Sequence, residues 1–142
     1  TDIATWLKSN PIGYAHWFYQ RARTNQTRLF SLREAIKPVP EYQREKYPLQ
    51  RIVQILKRHR DIMFQGDENK PISIIITTLA TKAYRGENIF EGLYNIVHTM
   101  GQYIENRNGI YWISNPVNEK ENFADKWVES PIKRKNFFDW MN

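Results

Sequence analysis

The chain has 142 residues, the length of one domain, and a domain of this size buries roughly 68–70% of its unfolded surface. Its residues are 41% hydrophobic and 14% aromatic, which is enough to form a hydrophobic core, so we do not expect disorder. It contains no Cys, which excludes disulfide scaffolds, zinc ribbons and thiol nucleophiles and fits a reducing compartment. Its longest apolar stretch, 72–80, is far short of the ~20 residues of a membrane span, so we expect a cytoplasmic protein without a membrane partner.

The net charge is strongly positive. Lys and Arg number 21 against 15 Asp and Glu, which gives a formal charge of +6. Such an excess indicates a polyanionic partner, which is a nucleotide, a nucleic acid or an acidic protein surface.

The pair Asn10-Pro11 predicts the first helix, because Asn caps a helix and Pro suits its first position. This helix should run to about Arg23. The helical period predicts a buried stripe made of Ile12, Ala15, Phe18 and Ala22.

Further along, a short helix is predicted around Leu29–Ile36, followed by a loop. Pro48 then begins a stronger helix over Leu49 to about Phe64. Its predicted apolar face consists of Leu49, Ile52, Val53, Leu56 and Met63.

Pro71 begins a third helix, Ile72–Arg85, which Gly86 ends. It is apolar on nearly all sides, which predicts the central buried helix. The isoleucine run also suits a strand, but the flanking Pro and Gly and a span of about 14 residues favour a helix.

Asn88 is the predicted cap of a fourth helix, with Glu91 completing a capping box. Its predicted inner face consists of Phe90, Leu93, Ile96, Val97, Met100 and Ile104. A strand-like edge at 110–113, a polar loop at 114–121 and a helical turn near 124–128 follow.

Ser130-Pro131 predicts the start of the final helix, which we expect to end on an exposed run of aromatic residues. Part of that run should pack on the first helix around Trp17 and Phe18, and the rest should face a missing domain or a partner. Both ends of the chain look cut, so we expect residues 1–142 to be a single domain of a longer protein. The predicted fold class is all-α, a helical bundle.

Two segments are suited to holding phosphate. The run Lys57–Asp61 is a basic helix end, which is either a phosphate clamp or a solvated end that complements the helix dipole. Pro71-Ile72-Ser73 lies at a helix start, where free amides and the dipole favour anions. Alternatively, Ser73 satisfies that helix end locally.

A third segment, Asn115–Trp127, carries amides, carboxylates and aromatic rings of the kind that recognise a nucleobase, although a structural loop with an aromatic plug is the default interpretation of such a segment. The Asp residues form no cluster for two-metal phosphoryl transfer. His16, His59 and His98 show no metal-ligand spacing. We therefore predict neither catalytic nor metal-binding residues in this chain.

Four ordered blocks resemble one known family over about residues 6–140. The chain resembles the C-terminal helical region of the CD-NTases, the cyclic-oligonucleotide synthases of antiphage (CBASS) defence, whose helical region is similar to the substrate-binding domain of poly(A) polymerase and oligoadenylate synthase. The blocks are Asn10–Phe18, Lys46–Arg51 with Leu56–Asp61, Pro71–Ala80, and Asn115–Val117 with Glu121–Trp127.

The resemblance implies a substrate-binding domain, with catalytic groups and Mg²⁺ in a core upstream. The phosphate-binding positions fall on Lys57 and Ser73, with Arg60 in the same basic block, and the nucleobase-proximal positions fall near Asn122 and Asp125. The implied partners are NTPs, the catalytic domain and an effector or activator. Two other classes stay open: a non-enzymatic helical module that binds RNA or DNA, and a scaffold that binds a protein through its aromatic ends.

Overall fold

The structure is a computed structural model that describes residues 3–23 and 46–142. The helix predicted at Leu29–Ile36 lies outside these residues. The described helices are α1 (Ile3–Ser9), α2 (Pro11–Arg23), α3 (Pro48–Met63), α4 (Ser73–Ala83), α5 (Ile89–Thr99), a 3₁₀ turn (Met100–Tyr103), α6 (Lys126–Glu129) and α7 (Pro131–Met141). The strands are β1 (Glu105–Arg107), β2 (Ile110–Trp112), β3 (Ser114–Asn115) and β4 (Asn118–Asn122).

The fold is mostly helical, but the all-α prediction is wrong between residues 105 and 122. Two antiparallel hairpins lie there, β1 with β2 and β3 with β4. The first turns at Asn108 and Gly109, both with positive φ, the backbone conformation that a tight two-residue hairpin requires. The predicted strand-like edge at 110–113 is therefore one arm of a hairpin, and the predicted polar loop contains another hairpin.

Helix α4 is the central helix, as the sequence predicts. Ile75, Ile76 and Leu79 on this helix are at most 1% exposed. Helices α3 and α5 and the 3₁₀ turn pack around it. Most of the predicted apolar face of α3 is buried, but Met63 is 48% exposed, and the buried position near that end of the helix belongs to Arg60.

Helix α2 begins at Pro11 and ends at Arg23, as predicted, but it presents a different face to the core. Ile12 is 73% exposed, Ala15 is also exposed, and only Ala22 of the predicted stripe is fully buried. Polar groups decide the rotation. Tyr14 Oη lies 2.8 Å from Thr78 Oγ1, and the Arg21 guanidinium donates to carbonyls at the end of α4, including that of Lys82 at 3.2 Å. Arg21 shares the capping of this helix end with Arg85, whose Nη1 donates to the Lys82 carbonyl at 2.7 Å.

The start of α5 is confirmed, since the Asn88 side chain accepts from the Glu91 amide at 2.9 Å. Its inner face is only partly as predicted, because Phe90 is 86% and Val97 is 40% exposed. Gly92 is buried, and a Cβ atom placed there would lie 2.7 Å from Ile52 Cδ1. The absent side chain lets α5 approach α3 along the Gly92 face, and Phe90 is thereby turned outward.

The prediction of an exposed aromatic run at the end of α7 is wrong. Phe137 is 0% and Trp140 is 7% exposed. Phe137 packs at 5.2 Å (ring centroids) from Trp127, and Phe138 lies 5.4 Å from Tyr111. The two short helices α6 and α7 therefore bury their aromatic rings against each other and against the first hairpin, and the ring contacts of α7 in the described part of the chain do not involve α2.

Helix α1, which the sequence analysis did not predict, is attached to the second hairpin. The Asn115 side chain, fully buried, donates to the Ser9 carbonyl at 2.9 Å, and that of Asn118 donates to the Lys8 carbonyl at 2.9 Å. Ser9 Oγ donates to Glu121 at 3.1 Å. Three polar side chains thus hold the end of α1 against β3 and β4.

Candidate nucleotide site

The end of α3 and the start of α4 meet through a buried arginine. Arg60 is 6% exposed, and its Nη1 donates to the Pro71 carbonyl at 3.0 Å and to Ser73 Oγ at 2.8 Å. Two of the predicted phosphate-binding residues, Arg60 and Ser73, are therefore in direct contact. A guanidinium can do this because it offers five donors in a rigid fork.

The charge of Arg60 is already paired. Its Nε donates to Asp61 at 2.9 Å, and Lys70 Nζ lies 3.3 Å from the same carboxylate oxygen. Partial desolvation acts to raise the pKa of Asp61, but the hydrogen bonds and positive charges of Arg60 and Lys70 outweigh it and hold that pKa below its usual range. Arg60 is thus part of the junction between α3 and α4. Its guanidinium stabilises the start of α4, and its charge is balanced by Asp61.

Lys57 lies one helical turn before Arg60 on α3. It is half-buried, and its ammonium group makes no hydrogen bond or ion pair with the residues in 3–23 and 46–142. The structure brings Lys57 close to the Arg60 junction along the helix but shows no contact between Lys57 and Ser73. An ammonium group that no described residue engages remains suited to an anionic ligand.

A cleft of about 750 Å³ lies elsewhere on the surface and contains both predicted nucleobase-proximal residues. The end of α1 and strands β2 and β4 form its walls, and Asp125 and Val128 lie at the start of α6. The volume is within the range of small-molecule sites. Among the described residues, no hydrogen bond joins this cleft to the Lys57–Ser73 region.

Asn122 and Asp125 differ in the hydrogen bonds that their side chains make within the chain. Asn122 Oδ1 accepts from the amides of Ile113 and Ala124, both at 2.9 Å, and its Nδ2 donates to the Tyr111 carbonyl at 3.0 Å. The Asn122 side chain therefore joins β4 to β2 and has one N–H left for a ligand. Asp125 is exposed, and its carboxylate makes no hydrogen bond or ion pair with the described part of the chain.

Several residues around this cleft were not predicted from the sequence. Trp112 lines it, and the Arg107 guanidinium carbon lies 4.5 Å from the centre of the Trp112 ring, a cation–π contact. The Trp112 Nε1 is buried without a hydrogen-bond partner in the described residues. Lys8 and Lys120 also line the cleft. The dipeptide Asn108-Gly109 could have revealed the hairpin that places Trp112 here.

One further lysine is held inside the fold. Lys82, half-buried near the end of α4, donates to the Ser114 carbonyl at 3.1 Å and so fixes the second hairpin to the central helix. Burial lowers the pKa of Lys82 below its ordinary value; the positive charge of Arg107 acts in the same direction, and the carboxylates of Glu105 and Glu119 oppose it. The Lys82 ammonium group therefore joins α4 to β3.

The described residues contain no group of three His, Asp or Glu side chains that could hold a metal ion. The side chains at hand therefore do not fit Mg²⁺, and the predicted Mg²⁺ of the longer protein stays a prediction about residues outside 3–23 and 46–142. Within the same residues, no helix combines the length and the apolar character that crossing a membrane requires.

No protein-family model matches the chain. The chain is similar to a c-di-GMP synthase of Roseivirga ehrenbergii, with 42% identity over an alignment of 142 residues that covers 96% of this chain. The chain spans 38% of the length of that relative. The likeness is consistent with a cyclic dinucleotide synthase.

Proposed function

We propose that this chain is the nucleotide-binding helical domain of a nucleotidyltransferase that makes a cyclic oligonucleotide from NTPs. One observation carries the proposal, namely the 42% identity to a c-di-GMP synthase over nearly the whole chain. The mostly helical fold supports a counterpart of the substrate-binding domain of oligoadenylate synthase. The basic excess of the chain, +6, supports an anionic substrate.

In this proposal the domain binds substrate, and the chemistry takes place on groups outside the described residues. Lys57 contacts triphosphate oxygens, together with the amides and the Ser73 hydroxyl at the start of α4. Arg60 is a positioning residue, because its bonds to the Pro71 carbonyl and to Ser73 fix that helix start. The base lies by the loop of Asn122 and Asp125. The catalytic carboxylates and Mg²⁺ belong to a further domain of the same protein.

The proposed setting is cytoplasmic antiphage defence. The partners would be the NTP substrates, the catalytic domain and an effector or activator. The relative's name supports the cyclic dinucleotide product, and the defence role is implied by the CD-NTase resemblance alone.

The test uses the complete protein with Mg²⁺ and the four NTPs. Cyclic dinucleotide formation is expected, and Lys57→Ala should raise the KM for a triphosphate by about tenfold or more, since a charge-assisted phosphate contact is worth roughly 1.5–3 kcal/mol. The matched control is Arg58→Ala, which removes an exposed cation from the next position of the same helix.

If Lys57→Ala and Arg58→Ala have the same KM as the unchanged protein, Lys57 is a solvated helix end and the phosphate assignment is wrong. If the complete protein forms no product but binds RNA with an affinity that falls steeply as salt rises, the binding-module alternative replaces the synthase.

A further inference from the structure

The outward face of α5 carries large apolar side chains that the described residues leave uncovered. Phe90 is 86%, Tyr94 is 64% and Val97 is 40% exposed. Their spacing places them on one stripe along two turns of the helix. The opposite side of α5 packs on the core through Leu93 and Ile96. Because a helix that is apolar on both sides is normally buried on both sides, the α5 stripe indicates contact with a further protein surface.

The α5 stripe has a fixed shape at its C-terminal end. The Tyr94 and His98 rings lie 4.2 Å apart (centroids), and His98 Nδ1 lies 2.7 Å from the Tyr94 carbonyl oxygen. These contacts restrict both side chains, so little conformational freedom remains to be lost when a partner binds. The two rings therefore form a preorganised contact surface.

The two ends of the α5 stripe differ in charge. Glu91 lies in the first turn, is exposed, and makes no side-chain hydrogen bond or ion pair with the described residues. His98 lies in the last turn. Since its Nδ1 donates to the Tyr94 carbonyl, a protonated His98 ring also presents Nε2–H to a partner. The stripe is acidic at one end and basic at the other, which makes it complementary to a copy of itself turned end to end.

We propose that two copies of this chain pair through α5, antiparallel and related by a twofold axis beside Tyr94. In this pair Phe90 of each copy packs against Val97 of the partner subunit. Glu91 faces His98 of the partner subunit, and the twofold axis repeats that ion pair at the other end. A second copy suits this surface better than an unrelated protein, because it supplies an apolar stripe of the same length with the opposite charge at each end.

The size of the α5 stripe limits the strength of the pair. The helix has 11 residues and is about 16 Å long. One helix pair of this length buries less than about 1,200 Å², the low end for specific interfaces. We therefore expect a dimer that forms at micromolar concentrations and dissociates on dilution. This pairing goes beyond the synthase proposal and does not depend on it, because α5 contributes no residue to the cleft or to the Lys57 region.

The test is sedimentation velocity of the complete protein between about 1 µM and about 100 µM. A monomer–dimer equilibrium is expected, and Tyr94→Glu should raise its Kd by at least about tenfold, because two like charges meet at the twofold axis. The matched control is Ile62→Glu, which changes a 65% exposed side chain of α3 and should keep the Kd. Thermal melting at about 1 µM, where the protein is monomeric, should be alike for both variants and the unchanged protein.

Charge exchange tests the antiparallel arrangement. His98→Glu should weaken the dimer, because it brings two carboxylates together at each end. Adding Glu91→Lys to the same chain should restore it, and so should an equimolar mixture of the two single variants, which pairs Lys with Glu at one end. A complete protein that is monomeric at about 100 µM would overturn the inference, and so would a dimer that Tyr94→Glu and His98→Glu leave unchanged. Either result leaves the synthase proposal intact, since neither measures activity.

Discussion

Replacing Arg60 by Ala should destabilise the chain more than any other single charge removal in α3. The truncation leaves the Pro71 carbonyl and Ser73 Oγ without their donor, at bond lengths of 3.0 and 2.8 Å, in a place where Arg60 is 6% exposed. A hydrogen bond from a charged donor contributes about 1.5–3 kcal/mol, and the two bonds share one side chain. We therefore expect a loss of about 3 kcal/mol in the free energy of unfolding.

The assay is urea unfolding followed by far-UV circular dichroism, with a melting curve as a second readout. A loss of about 3 kcal/mol corresponds to a decrease in Tm of about 10 °C for a chain of this size. The exposed neighbour gives the control, since Arg58→Ala should change the free energy by less than about 0.5 kcal/mol.

A double-mutant cycle isolates the contact itself. Ser73→Ala combined with Arg60→Ala should show a coupling energy of about 1 kcal/mol, because the two side chains are bonded directly. If Arg60→Ala lies within about 1 kcal/mol of the unchanged chain, the buried junction does not hold α3 to α4 and the reasoning about Arg60 is refuted.

Two further predictions concern the core and the alkaline range. Phe137→Ala, at a residue that is 0% exposed, should cost about 3–5 kcal/mol in urea unfolding, whereas Phe90→Ala, at 86% exposure, should cost less than about 0.5 kcal/mol; equal losses would contradict the observed burial. Burial raises the pKa of Tyr14 from 10.0 to about 12, against the smaller opposing effect of its hydrogen bond to Thr78. The folded state then holds the phenol proton more tightly than the unfolded state. The contribution of Tyr14 to the free energy of unfolding is therefore fully present below pH 10.0 and is lost as the pH rises towards 12. Unfolding measured at about pH 9 and about pH 11 should show a loss of about 1.3 kcal/mol from this group, and Tyr14→Phe should abolish that part of the loss.

The helix starts could be read from the sequence because their chemistry is local. Pro11, Pro48 and Pro131 each begin a helix, and Asn88 caps one, since these residues act through their own backbone and near neighbours. The central position of α4 was also predictable, because a helix that is apolar on nearly all sides has to be buried.

The faces of α2 and α5 could not be read in the same way, because distant residues set them. Arg21 reaches the end of α4 across 61 positions of sequence, and Gly92 fits against Ile52. A single apolar period contains neither contact, so Ile12 and Phe90 were assigned to the wrong side. Strand β2 was predicted as a strand-like edge, but its partner and the second hairpin were not, because the strands are only two to five residues long.

The same distinction between local contacts and contacts of distant residues applies to the candidate site. The contact between Arg60 and Ser73 joins residues that the sequence had already grouped as phosphate-binding. The internal bonds of Asn122 and the free state of Asp125 depend on the pairing of β4 with β3 and on the α6 start, which no local pattern contains. Trp112 and Arg107 became visible only once the hairpins were in place.

The attachment of α1 to the second hairpin has a consequence for the order of folding. The bond between Asn115 and Ser9 closes a loop across 106 positions, and a contact so distant in sequence is slow to form, so it follows the local helices. Small, solvent-accessible units held by such late contacts are also the ones that open without global unfolding. Since Lys8 and Ser9 line the cleft, we expect the cleft to take its final shape late in folding and to lose it early in local opening.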